Sequence, residues 1–330
     1  MDRNLKGRTG AVSRVDRKLG ESSNRYAGEG QPPLINSLSF TNDLRRLERT
    51  LGERLDDLHQ IAESIREHYR EKLEWRKGKE RRLLIPSWRL KLIQIRLHRH
   101  VFRRLAPHPA AYAVRGRGAV RAAERHRGNR WFYHRDIKDF YPSVSTAFVR
   151  QRFLNLGVHD ATADLLSKLV TVEDQLPQGA PTSPAVGEIA LRRLDIRISR
   201  LVDGHGLVYT RYLDDITVSG GQHLRDRFVD RIDEIIADCG WTLNSKGGLA
   251  GPDQSHKMLG LTVNQHLGVP RAMYDQVRQI IKLAQKGSVS LTSTERQSLR
   301  GKINWISTVN PRMGEKLLAA FEELPASAEE

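Results

Sequence analysis

The sequence predicts an α+β protein. Apolar strand-like runs alternate with helical segments to about residue 268, and a tail with helical periodicity and no strand signal follows. At 330 residues, with 38% hydrophobic and 28% charged, the chain is long enough for two or three packed units and has a globular composition. No run of ~18 apolar residues occurs, and MDRNLKGRTG lacks the apolar stretch of a signal peptide, so a cytoplasmic protein without membrane contact is expected.

Taken in order, residues 1–38 are polar, Gly-rich and aperiodic, and are expected to be a flexible basic arm. Leu44, Leu47, Leu51, Leu55, Leu58, Ile61 and Ile65 recur at spacings of three and four and predict one long amphipathic helix. RRLLIPSW predicts a short strand closed by Pro86, and LKLIQIRLHRHVFRRLA a helix running to Pro107. The aromatics of WFYHRDI predict a buried strand ending at Asp136, with a turn at Pro142. Helices over 145–156 and 160–170 lead to the loop LPQGAPTSP, where Thr182 or Ser183 caps a helix that tolerates Pro184 in its first turn. GLVYTRYLDDITVSG predicts two strands joined by a tight DD turn. A helix over 222–239 stops at Gly240, and WTLNSKGG predicts a strand and then a turn. Residues 271–324 hold two or three helices, one opened by a capping box from Thr292 and Glu295.

Charge points to a partner. The net charge is +16, and residues 65–135 carry 21 Lys or Arg against five acids, which accounts for the whole excess. Five acids cannot neutralise 21 bases from within that stretch, and Tyr69, Trp75, Trp88, Phe102 and Tyr112 are interleaved with them. That combination suits a phosphate backbone, the alternative being a solvated surface of local ion pairs. A single cysteine, Cys239, excludes an internal disulfide and multi-cysteine zinc sites, and no two histidines lie three or four apart.

Three acids stand at strand ends: Asp136 after WFYHR, and Asp214 with Asp215 in the hairpin turn. Adjacent carboxylates between apolar strands repel one another unless a divalent cation neutralises them. A third on a neighbouring strand would complete a two-metal cluster for phosphoryl transfer. A lone DD is otherwise an ordinary turn.

From about residue 40 to 324 the chain resembles a reverse transcriptase. RRLLIP (81–86), DIKDFYPSV (136–144), LPQGAPTSP (176–184), YLDD (212–215), LNSK (243–246) and MLGLTVN (258–264) occur in family order. Within that family it is most similar to bacterial retron enzymes, through LPQGAPTSP, GLVYTRY, the glycine and lysine pattern at 251–260, and GKINWISTVNP. The resemblance implies a right-hand polymerase: mainly fingers over 39–135, palm over 136–268 with an interleaved fingers segment at about 146–180, helical thumb over 269–324, and a tail at 325–330. It makes Asp136, Asp214 and Asp215 the ligands of two Mg²⁺ ions, with Mn²⁺ as a substitute. Tyr141 matches the aromatic beneath the sugar, Gln178 a contact to the incoming nucleotide, Arg81 and Lys79 the grip on its triphosphate, and Lys246 a proton donor to pyrophosphate. The basic stretch, represented by Arg99, Arg103, Arg104 and Arg121, is expected to bind RNA, as is His126.

Three departures mark a divergent member. Leu213 replaces the usual Ala of the catalytic tetrad, at a position expected on a strand. Ala122 replaces the Asn of N-A-x-x-H, with His126 retained, and Met258, Leu259 and Gly260 replace VTG. The implied activity is RNA-directed DNA synthesis from deoxynucleoside triphosphates on a structured non-coding RNA. It would give DNA and an RNA–DNA hybrid and would serve antiphage defence, in one form with an effector protein. The alternatives are protein-primed or untemplated DNA synthesis, and a non-catalytic RNA-binding scaffold.

Overall fold

Asp43 opens the first helix, its carboxylate accepting from the Arg46 amide at 3.0 Å. This helix, α1 (Leu44–Leu51), ends at the left-handed Gly52, and α2 (Leu55–Glu63) starts afresh after it. The expected single helix is therefore two, because the four-residue step from Leu51 to Leu55 keeps the apolar period across the break. The structure, a computed structural model, describes residues 38–76 and 78–324 apart from the side chains of Ser39, Arg76 and Lys79. The rest of the expected N-terminal arm and the tail lie outside the described residues. Leu38, placed at the end of that arm by the sequence, is fully buried.

Two antiparallel strands follow, β1 (Tyr69–Arg76) and β2 (Lys79–Pro86), of which only the second was predicted. Next comes α3 (Trp88–His100), with a 3₁₀ turn at Phe102–Arg104 in place of the predicted continuation to Pro107. A short helix, α4 (Ala119–Arg125), leads into β3 (Trp131–Ile137). The helices α5 (Phe140–Ser143), α6 (Thr146–Asn155) and α7 (Asp160–Val170) precede α8 (Ser183–Val202). Thr182 occupies the N-cap of α8 without a side-chain bond, while the Ser183 hydroxyl donates to the Pro177 carbonyl at 2.7 Å. Neither side chain is the cap the sequence suggested.

The central sheet has strand order β4-β5-β3-β6, with β4 Leu207–Tyr212, β5 Asp215–Gly220 and β6 Leu243–Ala250, and every pairing is antiparallel. Gly247 and Gly248, predicted as a turn, continue β6 opposite Arg135 and His134. A Cβ on Gly247 would stand 2.5 Å from the His134 carbonyl oxygen, so this close pairing requires glycine. Helix α9 (Asp226–Asp238) and α8 contribute Ile232, Ile236, Leu194 and Ile198 to the main core. A three-stranded sheet, β7 (Lys257–Met258), β8 (Leu261–Val263) and β9 (Leu267–Gly268), precedes α10 (Arg271–Gln285), α11 (Ser293–Val309) and α12 (Pro311–Glu322). The capping box of Thr292 and Glu295 is present. These last helices share a separate core around Val277, Ile281, Ile303 and Phe321, whereas Trp305 packs with the β7–β8 cluster.

Candidate active site

Asp136 and Asp215 face each other as direct partners across β3 and β5. Opposed residues of an antiparallel pair point to the same face with Cβ atoms ~4.5–5.5 Å apart. Asp214 lies one residue earlier, in the turn from β4. Around Asp136 the pairing of β3 with β6 shifts register, an irregularity of the kind that re-aims a side chain. Asn244 of β6 donates to Asp136 Oδ2 at 2.5 Å. Burial raises the Asp214 carboxyl above the usual range; its own backbone amide lowers it, the Asp136 charge raises it, and Arg81 and Arg211 lower it. Among the described residues no three His, Cys, Asp or Glu side chains converge closely enough to hold an ion as they stand. Gathering three carboxylates at one point requires rotation about their χ torsions. The donor set is all oxygen, which fits a hard divalent cation.

The hairpin that carries these acids is pinned from below. Leu213, expected on a strand, sits in the turn at φ 55°, a left-handed conformation costing a leucine ~1–2 kcal/mol. Its carbonyl accepts from Arg211 Nη1 at 2.8 Å. Arg211 has no solvent exposure and also binds Asp195 (Nε–Oδ1 and Nη2–Oδ2, both 2.7 Å) and Glu188 (Nη2–Oε2, 2.8 Å). Tyr209 donates to the same Asp195 at 2.7 Å. One buried guanidinium thus fastens β4 to α8 and clamps the strained turn.

Tyr141, on α5, is half-buried, and burial first, then the charges of Asp214 and Glu188, push its hydroxyl up to about 12. Gln178 is partly exposed, and its carbonyl accepts from the Leu84 amide at 2.8 Å, which ties the LPQGAPTSP loop to β2. Gly179 beside it has φ 118°, and a Cβ there would meet the Leu84 carbonyl oxygen at 3.1 Å. Arg81 lies on β2 opposite Glu74, close enough for its charge to act on Asp214. Its neighbour Arg82 is bound instead to Glu71 and Glu173, at 2.8 and 2.5 Å. Lys79 opens β2, and Lys246 is exposed on β6, the last strand of the sheet.

The basic stretch is better neutralised than its own acids suggest. Arg89 pairs with Glu53 and Asp57, Arg66 and Arg82 with Glu173, and Arg135 with Asp233, all acids from outside residues 65–135. Arg99 and Arg103 are exposed. Arg104 lies over the Phe40 ring at 4.6 Å, and Arg121 donates to the Gly116 carbonyl. His126 corrects the expectation of an RNA contact. It is fully buried, with Nδ1 2.6 Å from the Ser219 hydroxyl and Nε2 2.7 Å from that of Thr210. Burial chiefly holds it down to about 3, with His134 and Arg125 adding to the shift, so it is a neutral spacer beneath the sheet.

Comparison with known proteins decides the family. The family described as reverse transcriptase (RNA-dependent DNA polymerase) matches residues 40–263. The chain belongs to the reverse transcriptase family. Retron Ec86 reverse transcriptase of Escherichia coli is 28% identical over 87% of this chain and 91% of its own length. Retron Ec73 reverse transcriptase of Escherichia coli is 30% identical over 73% and 83%, and retron Mx65 reverse transcriptase of Myxococcus xanthus 30% over 79% and 65%. Among solved structures, telomerase from Candida albicans superimposes on 80% of this chain and 60% of its own with a TM-score of 0.45 at 9% identity. This reverse transcriptase is therefore a divergent retron-type enzyme, an RNA-directed DNA polymerase that takes an RNA template and makes DNA. Enzymes of this family work with divalent metal ions.

Two of its departures from the retron pattern meet in space. Ala122 and Met258 belong to one buried cluster with Phe132, Leu261 and Val263, against which Leu259 also packs. Sequence reasoning missed Asn244, Glu188, Asp195 and Arg211. For Arg211 a signal was available: an arginine inside the otherwise apolar and aromatic LVYTRY strand needs buried acids as partners.

Proposed function

We propose that this reverse transcriptase copies a structured non-coding RNA from deoxynucleoside triphosphates, primed from an RNA hydroxyl and serving antiphage defence in the cytoplasm, in one form with an effector protein. Residues 39–135 would act mainly as fingers, 136–268 as palm with an interleaved fingers segment at about 146–180, and 269–324 as thumb. The observation that carries the chemistry is Asp136 facing Asp215 across two paired strands, with Asp214 in the adjoining turn. Asp136, Asp214 and Asp215 would hold two Mg²⁺ ions, or Mn²⁺ in their place. When bound, such ions stabilise the attacking and leaving oxygens of an in-line displacement. Asn244 orients Asp136, and Arg211 fixes the turn that presents Asp214.

On the nucleotide side, Arg81 offers paired donors to the triphosphate, Lys79 supports it, and Lys246 supplies a proton to the leaving pyrophosphate. Gln178, held against β2, contacts the incoming nucleotide. Tyr141 fills the space a 2′-hydroxyl would take, so discrimination rests on bulk. The test is primer extension on RNA with Mg²⁺. Asp136→Asn or Asp214→Asn should abolish deoxynucleotide incorporation with the melting temperature retained, and Tyr141→Val should admit ribonucleotides. Full activity of Asp214→Asn would remove the assignment, and unchanged sugar discrimination would return Tyr141 to a packing role.

A further inference from the structure

A cavity of about 520 Å³ lies apart from the metal-site acids, between the Phe102–Arg104 turn, the loop over 105–115, α6 and the first half of α8. Its size suits one small ligand, not a duplex. Its walls combine two chemistries. Phe102, Leu105, Leu156, Pro184 and Ile189 give apolar surface, and Arg103, Arg115, Arg152, Arg192 and Arg193 give positive charge. Glu188 is the only acid among the described lining residues, and its carboxylate is already engaged by Arg211.

The cations are not at rest there. Burial chiefly lowers the affinity of Arg152 for its proton, and the Arg193 charge lowers it further. Burial likewise lowers Arg192, whose Nη1 is spent on the Ala106 carbonyl at 2.8 Å. The Arg152 guanidinium stacks over the Phe148 ring at 4.4 Å, yet its Nε is buried without a hydrogen-bond partner. On α3, His98 also lines the cavity, and its Nδ1 is buried and unpartnered in the same way. Like charges drawn together and orphaned polar atoms both cost stability, and an anion arriving beside them removes both costs.

We propose that this cavity binds a nucleoside phosphate, its phosphate on Arg152 and Arg193 and its base against the apolar wall of Phe102, Pro184 and Ile189. Apolar surface beside a cluster of guanidinium donors matches the two ends of that ligand. The source is either a free nucleotide or one nucleotide of a bound RNA strand. The inference rests on the polymerase reading only in that nucleotides and RNA are at hand.

Two measurements on the full chain test it. In EDTA without RNA, ADP titrated by calorimetry should bind saturably. Arg152→Gln combined with Arg193→Gln should weaken it at least tenfold, and Arg81→Gln should leave it unchanged. In parallel, a single-stranded RNA carrying 4-thiouridine is photocrosslinked to the unaltered protein and the attached peptides are mapped. ADP binding with that mutational pattern establishes a free-nucleotide site. Crosslinks within 184–193 without ADP binding establish a strand nucleotide as the ligand. ADP binding insensitive to the Arg152 and Arg193 changes, or neither ADP binding nor crosslinks within 184–193, overturns the proposal even if the double variant folds poorly. Loss of DNA synthesis by the unaltered enzyme would strike the polymerase reading alone, since neither measurement depends on turnover.

Discussion

Replacing Arg211 by methionine separates what the buried guanidinium does for the fold from what it does for the site. Arg211 makes five hydrogen bonds, two to Asp195, two to Glu188 and one to the Leu213 carbonyl. In Arg211→Met the carboxylate of Asp195, which has no solvent exposure, loses its cation, and stranding buried charge in this way costs about 3–5 kcal/mol. The triple variant Arg211→Met, Asp195→Asn, Glu188→Gln removes the stranded charges and should recover at least half of that loss in urea unfolding. It does not replace the donor to Leu213. A charge-assisted bond of this kind is worth about 1.5–3 kcal/mol, and it opposes a left-handed leucine that costs about 1–2 kcal/mol. If that bond is what holds the turn in place, kcat for primer extension should stay down by about 10- to 100-fold in the refolded triple variant, at ~1.4 kcal/mol per decade. Full recovery of kcat in the triple variant, or a single variant that loses less than about 1 kcal/mol, would refute the reasoning.

Acid should unfold the protein early. His134 is held down to about 4 and His126 to about 3, chiefly by burial in each case. Both folded-state values are depressed, so the stability they contribute is complete above about pH 6.5 and is lost as pH falls below it. The loss is about 3 kcal/mol for the pair at pH 5.5, and the urea midpoint should show it. His126→Gln with His134→Gln should flatten that dependence; an unchanged slope would place the acid sensitivity elsewhere. Gly179→Ala should cost about 1–3 kcal/mol through its strained backbone and raise KM for deoxynucleotides by displacing Gln178, and a wild-type midpoint and KM would contradict this. Neutralising Arg99, Arg103, Arg104 and Arg121 should flatten the salt dependence of RNA binding by roughly 0.7–0.9 in log–log slope per lost phosphate contact. Folding should weaken chiefly through the Arg104 contact with Phe40, by about 0.5–1 kcal/mol, and an unchanged slope would place the RNA elsewhere.

The strands of the central sheet were legible because WFYHRDI and VYTRYLDDITVS are short, apolar and bounded by turns. Strand β1 was not. YREKLEWR exposes Leu73 and Trp75, at 56% and 73%, so no buried face imposes an alternating pattern on the sequence. The break at Gly52 was hidden by an apolar period that runs straight through it. Asp136, Asp214 and Asp215 could be proposed from the sequence because their carboxylates stand at the ends of apolar strands inside motifs that occur in family order, whereas Asn244 needed the register of β6 against β3 to acquire meaning. His126 was misplaced for a related reason. Its two hydroxyl partners lie 84 and 93 residues away, and only the folded sheet brings them to its ring.

Asp136, Asp215 and Asn244 ride on one four-stranded sheet, and Asp214 stands in the turn between two of its strands. Fixing their spacing needs little from the α10–α12 bundle, which has a core of its own. That bundle can drift in sequence and be refitted to another RNA while the sheet stays in register. A chain organised in this way can change its client without relearning its chemistry, and swapping the bundle between relatives should alter which RNA is held before it alters how nucleotides are joined.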